Sequence, residues 1–93
     1  MQDKDLKLLF KKAKSYGATD FGMSETKDKR FYVIYNNKTI NFGAKNGETY
    51  FDHKDLNKRM AWRARHSKIV DKDDDPVYLN KMSPEFWNWH LTW

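Results

Sequence analysis

Seven side chains between residues 54 and 68 carry the clearest chemistry in this chain. Lys54, Lys58, Arg59, Arg63, Arg65 and Lys68 are cations, and Trp62 sits among them. Cations at helical spacing pair with phosphates, which gives affinity without sequence specificity. The interleaved indole of Trp62 and the nearby phenol of Tyr50 offer faces on which unpaired bases stack. A solvated charged face of a helix accounts for the same pattern. At the other end of the sequence, Trp87, Trp89 and Trp93 crowd one short segment. They read either as core or as anchors of a protein interface, because an exposed indole makes a strong interface contact.

Catalytic chemistry has less to stand on. Asp52, His53 and Asp55 lie close in sequence, with His66 farther along the same predicted helix. A hydrolytic metal site needs convergent carboxylates, and residues two apart on a helix point to different sides. The run Asp71-Lys72-Asp73-Asp74-Asp75 attracts cations but lacks the glycine and distal glutamate of a calcium loop. There is no Ser/His/Asp set, phosphate loop or zinc spacing, and no cysteine. The sequence therefore predicts a protein that is not an enzyme, with no catalytic residue, no cofactor and no metal.

Charge is unevenly spread. The chain has 93 residues and a net charge of +5. Residues 31–70 hold eight Lys/Arg against three Asp/Glu, whereas residues 71–93 hold two against five. A basic surface of this kind suits nucleic acid or an acidic protein surface. The charged start of the sequence has no apolar secretory core, and no apolar run approaches the roughly 20 residues of a membrane span. The expectation is a protein that is neither secreted nor transmembrane, with no membrane partner and no small-molecule substrate.

The elements that must position these residues read as one α+β domain over residues 1–93. Residues 3–16 predict an amphipathic helix, with Leu6, Leu9, Phe10 and Ala13 on one face and Gly17 as its stop; residues 1–17 form that N-terminal unit. Residues 17–30 read as a loop. Phe31-Tyr32-Val33-Ile34-Tyr35, Asn36-Asn37 and Lys38-Thr39-Ile40-Asn41-Phe42 predict a hairpin, since asparagine tolerates the positive φ of a type I′ turn. Its register sets Val33 against Ile40 and Phe31 against Phe42. Tyr32, Thr39, Asn41 and Lys38 form the outer face, and the order of hairpin then helix resembles in outline the arm-binding domains of integrases. Thr49-Tyr50-Phe51 is a candidate third strand. Residues 53–66 predict a basic central helix, capped by Asp52, with Leu56, Met60 and Ala64 as its apolar stripe. The sheet is expected to pack on Leu56, Met60 and the tryptophans. Ser83-Pro84-Glu85 then starts a short Trp-rich C-terminal helix.

Phe42-Gly43-Ala44-Lys45, His53-Lys54-Asp55, Ala64-Arg65-His66 and Phe86-Trp87-Asn88-Trp89-His90-Leu91-Thr92-Trp93 together resemble a family of small basic proteins of nucleocytoplasmic large DNA viruses, a domain of unknown function. The resemblance spans roughly residues 30–93, the core module. It implies a viral accessory protein located in the virion, the host-cell cytoplasm or the viral factory. Two partners follow as expectations. The first is nucleic acid, bound non-specifically through Lys54, Lys58, Arg59, Trp62, Arg63, Arg65 and Lys68. The second is a set of capsid or virion proteins, with the chain as a minor capsid component docked through Trp87, Trp89 and Trp93.

Overall fold

Alternating apolar residues around an Asn-Asn turn make the centre of the molecule. The computed structural model describes residues 2–93 and has three antiparallel strands, β1 (Asp20–Met23), β2 (Lys29–Tyr35) and β3 (Lys38–Ala44), in that order across the sheet. Asn36 and Asn37 take φ of 52° and 62°, the left-handed pair that a two-residue hairpin turn requires. The turn fixes the register. Val33 lies opposite Ile40 and Phe31 opposite Phe42, and all four are buried.

The third strand precedes the hairpin. Residues 20–23, read from sequence as loop, pair with β2, and Phe21 stands opposite Val33. Phe21 also stacks on Phe31 with ring centroids 5.8 Å apart. Its neighbour Gly22 lies beneath the Tyr32 ring, where a Cβ would come within 2.8 Å. That close approach explains the glycine in a strand. The candidate strand at Thr49-Tyr50-Phe51 is instead the start of a helix.

Helix α1 (Asp3–Ser15) buries Leu9 and Ala13 as its spacing predicts, but Phe10 is exposed. Asp5 is buried in the first turn instead, and its carboxylate accepts the Gln2 N–H at 3.0 Å. Gly17, at φ 102°, ends the segment.

Two short helices follow the sheet: α2 (Tyr50–His53) and α3 (Leu56–His66). Asp71 then closes its own loop, its Oδ1 accepting the N–H of Asp73 at 2.8 Å and of Asp75 at 3.1 Å. This accounts for the acidic run as a self-capped turn. Ser83 caps α4 (Pro84–Trp87), accepting the Glu85 N–H at 3.2 Å, and a wider π-type turn continues over Asn88–Thr92.

The core is one cluster. The inner face of the sheet meets Leu9 and Ala13 of α1, and Phe86, Trp87 and Leu91 of the C-terminal segment. Leu56 and Met60, expected under the sheet, are not in it. The architecture is α+β: a three-stranded sheet with an N-terminal helix, further short helices and a C-terminal helix. Among the described residues no helix is long and apolar enough to cross a membrane.

Candidate functional site

The predicted helix over residues 53–66 is broken at Lys54, and the break decides which way its charges point. Thr49 and Asp52 form a capping box that starts α2 at Tyr50. Lys54 then takes φ 53°, ψ 30°, a left-handed stop. The Asp55 N–H donates to His53 Nδ1 at 2.9 Å. Asp55 in turn caps α3, accepting from the N–H of Asn57 at 2.9 Å and of Lys58 at 3.3 Å. So Asp52 is not the N-cap of a long helix. Its carboxylate takes a forked pair from Arg30 at 2.6 and 2.9 Å and the Thr49 N–H at 2.8 Å. The Arg30 bond, with Thr49 and against some burial, holds this carboxyl far below the usual range. The three residues nearest to a hydrolytic motif, Asp52, His53 and Asp55, are thus engaged in shaping the break. Among the described residues no group of three or more His, Cys, Asp or Glu could hold a metal.

After the break, α3 lies on the opposite face from the one its apolar stripe predicts. Leu56 is 56 % exposed, Met60 62 %, and Ala64 is exposed as well. Trp62 is the buried residue at 7 %, flanked by half-buried Arg59, Arg63 and His66. The physical reason is the ring partner each one finds. Trp62 stacks on His66 at 3.8 Å and on Trp93 at 4.9 Å, the latter within 3° of parallel. His66 Nδ1 pairs with Glu85. The Arg59 guanidinium lies over Tyr50 and that of Arg63 over Trp89, each 5.0 Å from the ring centre. Arg59 Nε donates to the Trp93 carbonyl, and an Arg63 N–H reaches the Trp89 carbonyl at 3.4 Å. Two arginines thus serve the carbonyl end of the C-terminal segment, where the helix dipole favours positive charge. An aromatic column buries more area than Leu56 and Met60 offer, and it sets the rotation of the helix.

The predicted anion-binding set is therefore divided. Arg59, Trp62 and Arg63 face inward, while Lys54, Lys58, Arg65 and Lys68 face solvent. Lys54 lies 3.9 Å from the buried Asp5 carboxylate, and Lys58 lies 3.4 Å from Glu48 in a loose exposed pair worth little to stability. Arg65 and Lys68 have no acidic partner among the described residues. Lys12 of α1 was not visible as part of this surface. It is exposed as a whole residue, yet burial around its ammonium and the positive charges of Arg59 and Arg63 push its pKa down. Burial, and then Arg59, lowers that of Arg63 as well. No spacing rule links residue 12 to residues 59 and 63, so the sequence held no signal for it.

A cleft of about 420 Å³ opens on the Arg65 side of α3. One wall is Trp62, Arg65, His66, Asn88 and Trp93; the other is Gly43, Ala44 and residues 47–49. The sequence marked part of that second wall, as the Phe42-Gly43-Ala44-Lys45 corner, without joining it to Trp62.

The C-terminal tryptophans also divide. Trp87 is fully buried, with its indole N–H donating to the Lys81 carbonyl at 2.7 Å. It is core, and is unavailable as the interface anchor that the sequence suggested. Trp89 stacks on Tyr78 at 4.2 Å and stays half-buried, as does Trp93.

Residues 19–66 match the model of a family described as Family of unknown function (DUF5754). The matched stretch runs from the edge of β1 to the end of α3, and stops before the Trp-rich segment. No curated protein and no solved structure matches the chain.

Proposed function

The chain belongs to a family of unknown function (DUF5754), and from its geometry we propose that it is a non-enzymatic module that binds nucleic acid through the outward cations of α3 and the turn that follows it. One observation carries this reading. Once Arg59 and Arg63 turn inward, Arg65 and Lys68 still stand in solvent with no acidic partner among the described residues. Lys58 stands beside them, tied to Glu48 by a loose exposed pair that phosphate can displace. Behind them Lys12, Arg59 and Arg63 add to one positive field, which attracts a polyanion over a distance. The resemblance to small basic proteins of large DNA viruses supports a viral setting, in the virion or the viral factory.

Fluorescence anisotropy with labelled DNA between 50 and 200 mM salt tests the reading. The expected result is affinity that falls steeply with salt. The triple variant Lys58→Glu, Arg65→Glu, Lys68→Glu should lose binding while its melting temperature stays put. Salt-independent binding, or none, overturns the proposal.

A second reading is a structural component of a virion. The open Leu56 and Met60 side chains favour it, because exposed apolar side chains on a charged helix suit a protein contact. It predicts a fixed copy number in purified particles, and absence from particles would exclude it.

A further inference from the structure

The cleft between α3 and the turn of residues 43–49 is built for more than charge, and we infer that it takes one nucleotide unit of a single strand, with its phosphate on Arg65 and the edge of its base on the indole N–H groups of Trp62 and Trp93, whose shared ring column is closed to stacking. This rests on the nucleic-acid reading above and names the form of the ligand. Four observations converge. The volume, about 420 Å³, falls within the range of small-ligand sites. The lining is mixed in the way a nucleotide needs: Trp62, Trp93 and the cationic Arg65 share one wall, and the Glu48 carboxylate across from them is paired with Lys58.

The donors are also unanswered. The indole N–H groups of Trp62 and Trp93 donate to nothing among the described residues, in contrast to Trp87, which reaches the Lys81 carbonyl. The Asn88 amide oxygen is held by Thr92 Oγ1 at 2.6 Å, and its NH2 group has no partner among the described residues. Base edges are rich in acceptors that such groups satisfy. Finally, the far wall is kept open by small residues. Gly43, at φ 76°, and Ala44, with only a methyl group, leave that side of the cleft without a long side chain. A duplex keeps its bases stacked and paired, so only a single strand or an end can enter.

Alternatives in the fold are weaker. The groove on the outer sheet face, at Tyr32, Thr39 and Asn41, brings Glu25 and no cation to its lining. The smaller hollow between Phe10 and Phe21 is apolar, and nothing in the structure shows what covers it.

The test uses the full chain with two probes of equal length, single-stranded oligo(dT) and a DNA duplex. A ¹H–¹⁵N spectrum follows the four indole N–H signals during titration with a thymidine dinucleotide. The single strand should bind about tenfold tighter than the duplex, the scale of one or two hydrogen bonds to a base edge that a duplex keeps paired. The Trp62 and Trp93 indole signals should move, and that of Trp87 should not. Ala44→Leu, which fills the cleft from an exposed position, should remove the single-strand preference at unchanged melting temperature. Arg65→Gln is a second variant, and should weaken the dinucleotide about tenfold. If both probes bind equally, the indoles stay still and Ala44→Leu changes nothing, the cleft proposal is overturned while surface binding stands. If the dinucleotide moves the indoles but neither polymer binds with salt dependence, the cleft is a nucleotide site and the nucleic-acid reading fails.

Discussion

The two long faces of α3 carry the same chemistry and do different work. On the inner face Arg59 and Arg63 sit over Tyr50 and Trp89 and hold the carbonyls of Trp93 and Trp89. On the outer face Arg65, and Lys68 in the turn just after it, have no acidic partner among the described residues, and Lys58 is only loosely paired. A guanidinium is well suited to the first task because its flat, weakly hydrated cation stacks on rings and donates at once. The difference teaches that a count of cations on a helix is not a count of binding charges. Part of the +5 is structural, and substitutions on the two faces should separate stability from affinity.

Removing the residue that orients the helix should have the largest effect. Trp62→Ala takes the centre out of the His66–Trp62–Trp93 column and should cost about 3–5 kcal/mol, read as a drop in the urea midpoint. A loss below about 1 kcal/mol would mean that the column does not set the rotation of α3.

The Arg30–Asp52 pair comes next, because it ties the break before α3 to the sheet. Asp52→Asn should cost about 1.5–3 kcal/mol at neutral pH, the range for hydrogen bonds to charged groups. The sign of its pH dependence follows from the lowered carboxyl pKa. The stabilisation is full above the unfolded value of about 3.9 and is lost as pH falls toward the folded one. Acid unfolding curves of Asp52→Asn should therefore be flatter than those of the parent chain.

Arg63→Met should cost about 1–3 kcal/mol, since it leaves the Trp89 carbonyl without its donor. Its neighbour His90 sharpens the same comparison through pH. Burial lowers the His90 pKa from 6.5; the Tyr78 carbonyl opposes that, and Arg63, Lys12 and Lys81 add to it. A histidine held neutral in the fold costs nothing above pH 6.5 and destabilises as pH falls below it. Thermal melts between pH 7.5 and 5.5 should show this decline, and it should shrink in Arg63→Met, where one of the facing positive charges is gone.

The smallest effect on stability belongs to the outer face. Arg65→Gln and Lys68→Gln should each stay within about 0.5 kcal/mol of the parent chain. A larger loss would show that the outer cations are structural too.

How much of this was legible depends on where the deciding contacts lie. The hairpin was readable because its information is local: Asn36-Asn37 fixes the turn, and Phe31, Val33, Ile40 and Phe42 alternate around it. The Ser83 cap and the buried pair Leu9 and Ala13 were readable for the same reason. The face of α3 was not. Leu56/Met60/Ala64 and Arg59/Trp62/Arg63/His66 both fit a helical period, and the choice is made by Trp89 and Trp93, some thirty residues farther along. The strand at Asp20–Met23 was hidden for a related reason: Phe21 alone carries its apolar signal, and its partner strand supplies the rest. Of the candidate site, the residue types were visible and their division was not. Lys12, Asn88 and the cleft wall at Gly43 and Ala44 join it only through the fold.

The most direct test sets the two faces against each other in one binding experiment. The slope of log affinity against log salt for single-stranded DNA is measured for the parent chain and for the pair variant Arg65→Gln, Lys68→Gln. Each lost phosphate contact should reduce the slope by about 0.7, so the pair should lose about 1.4 with no change in melting temperature. An unchanged slope with full affinity would contradict the account, because the outward cations of α3 would then not be what meets the nucleic acid.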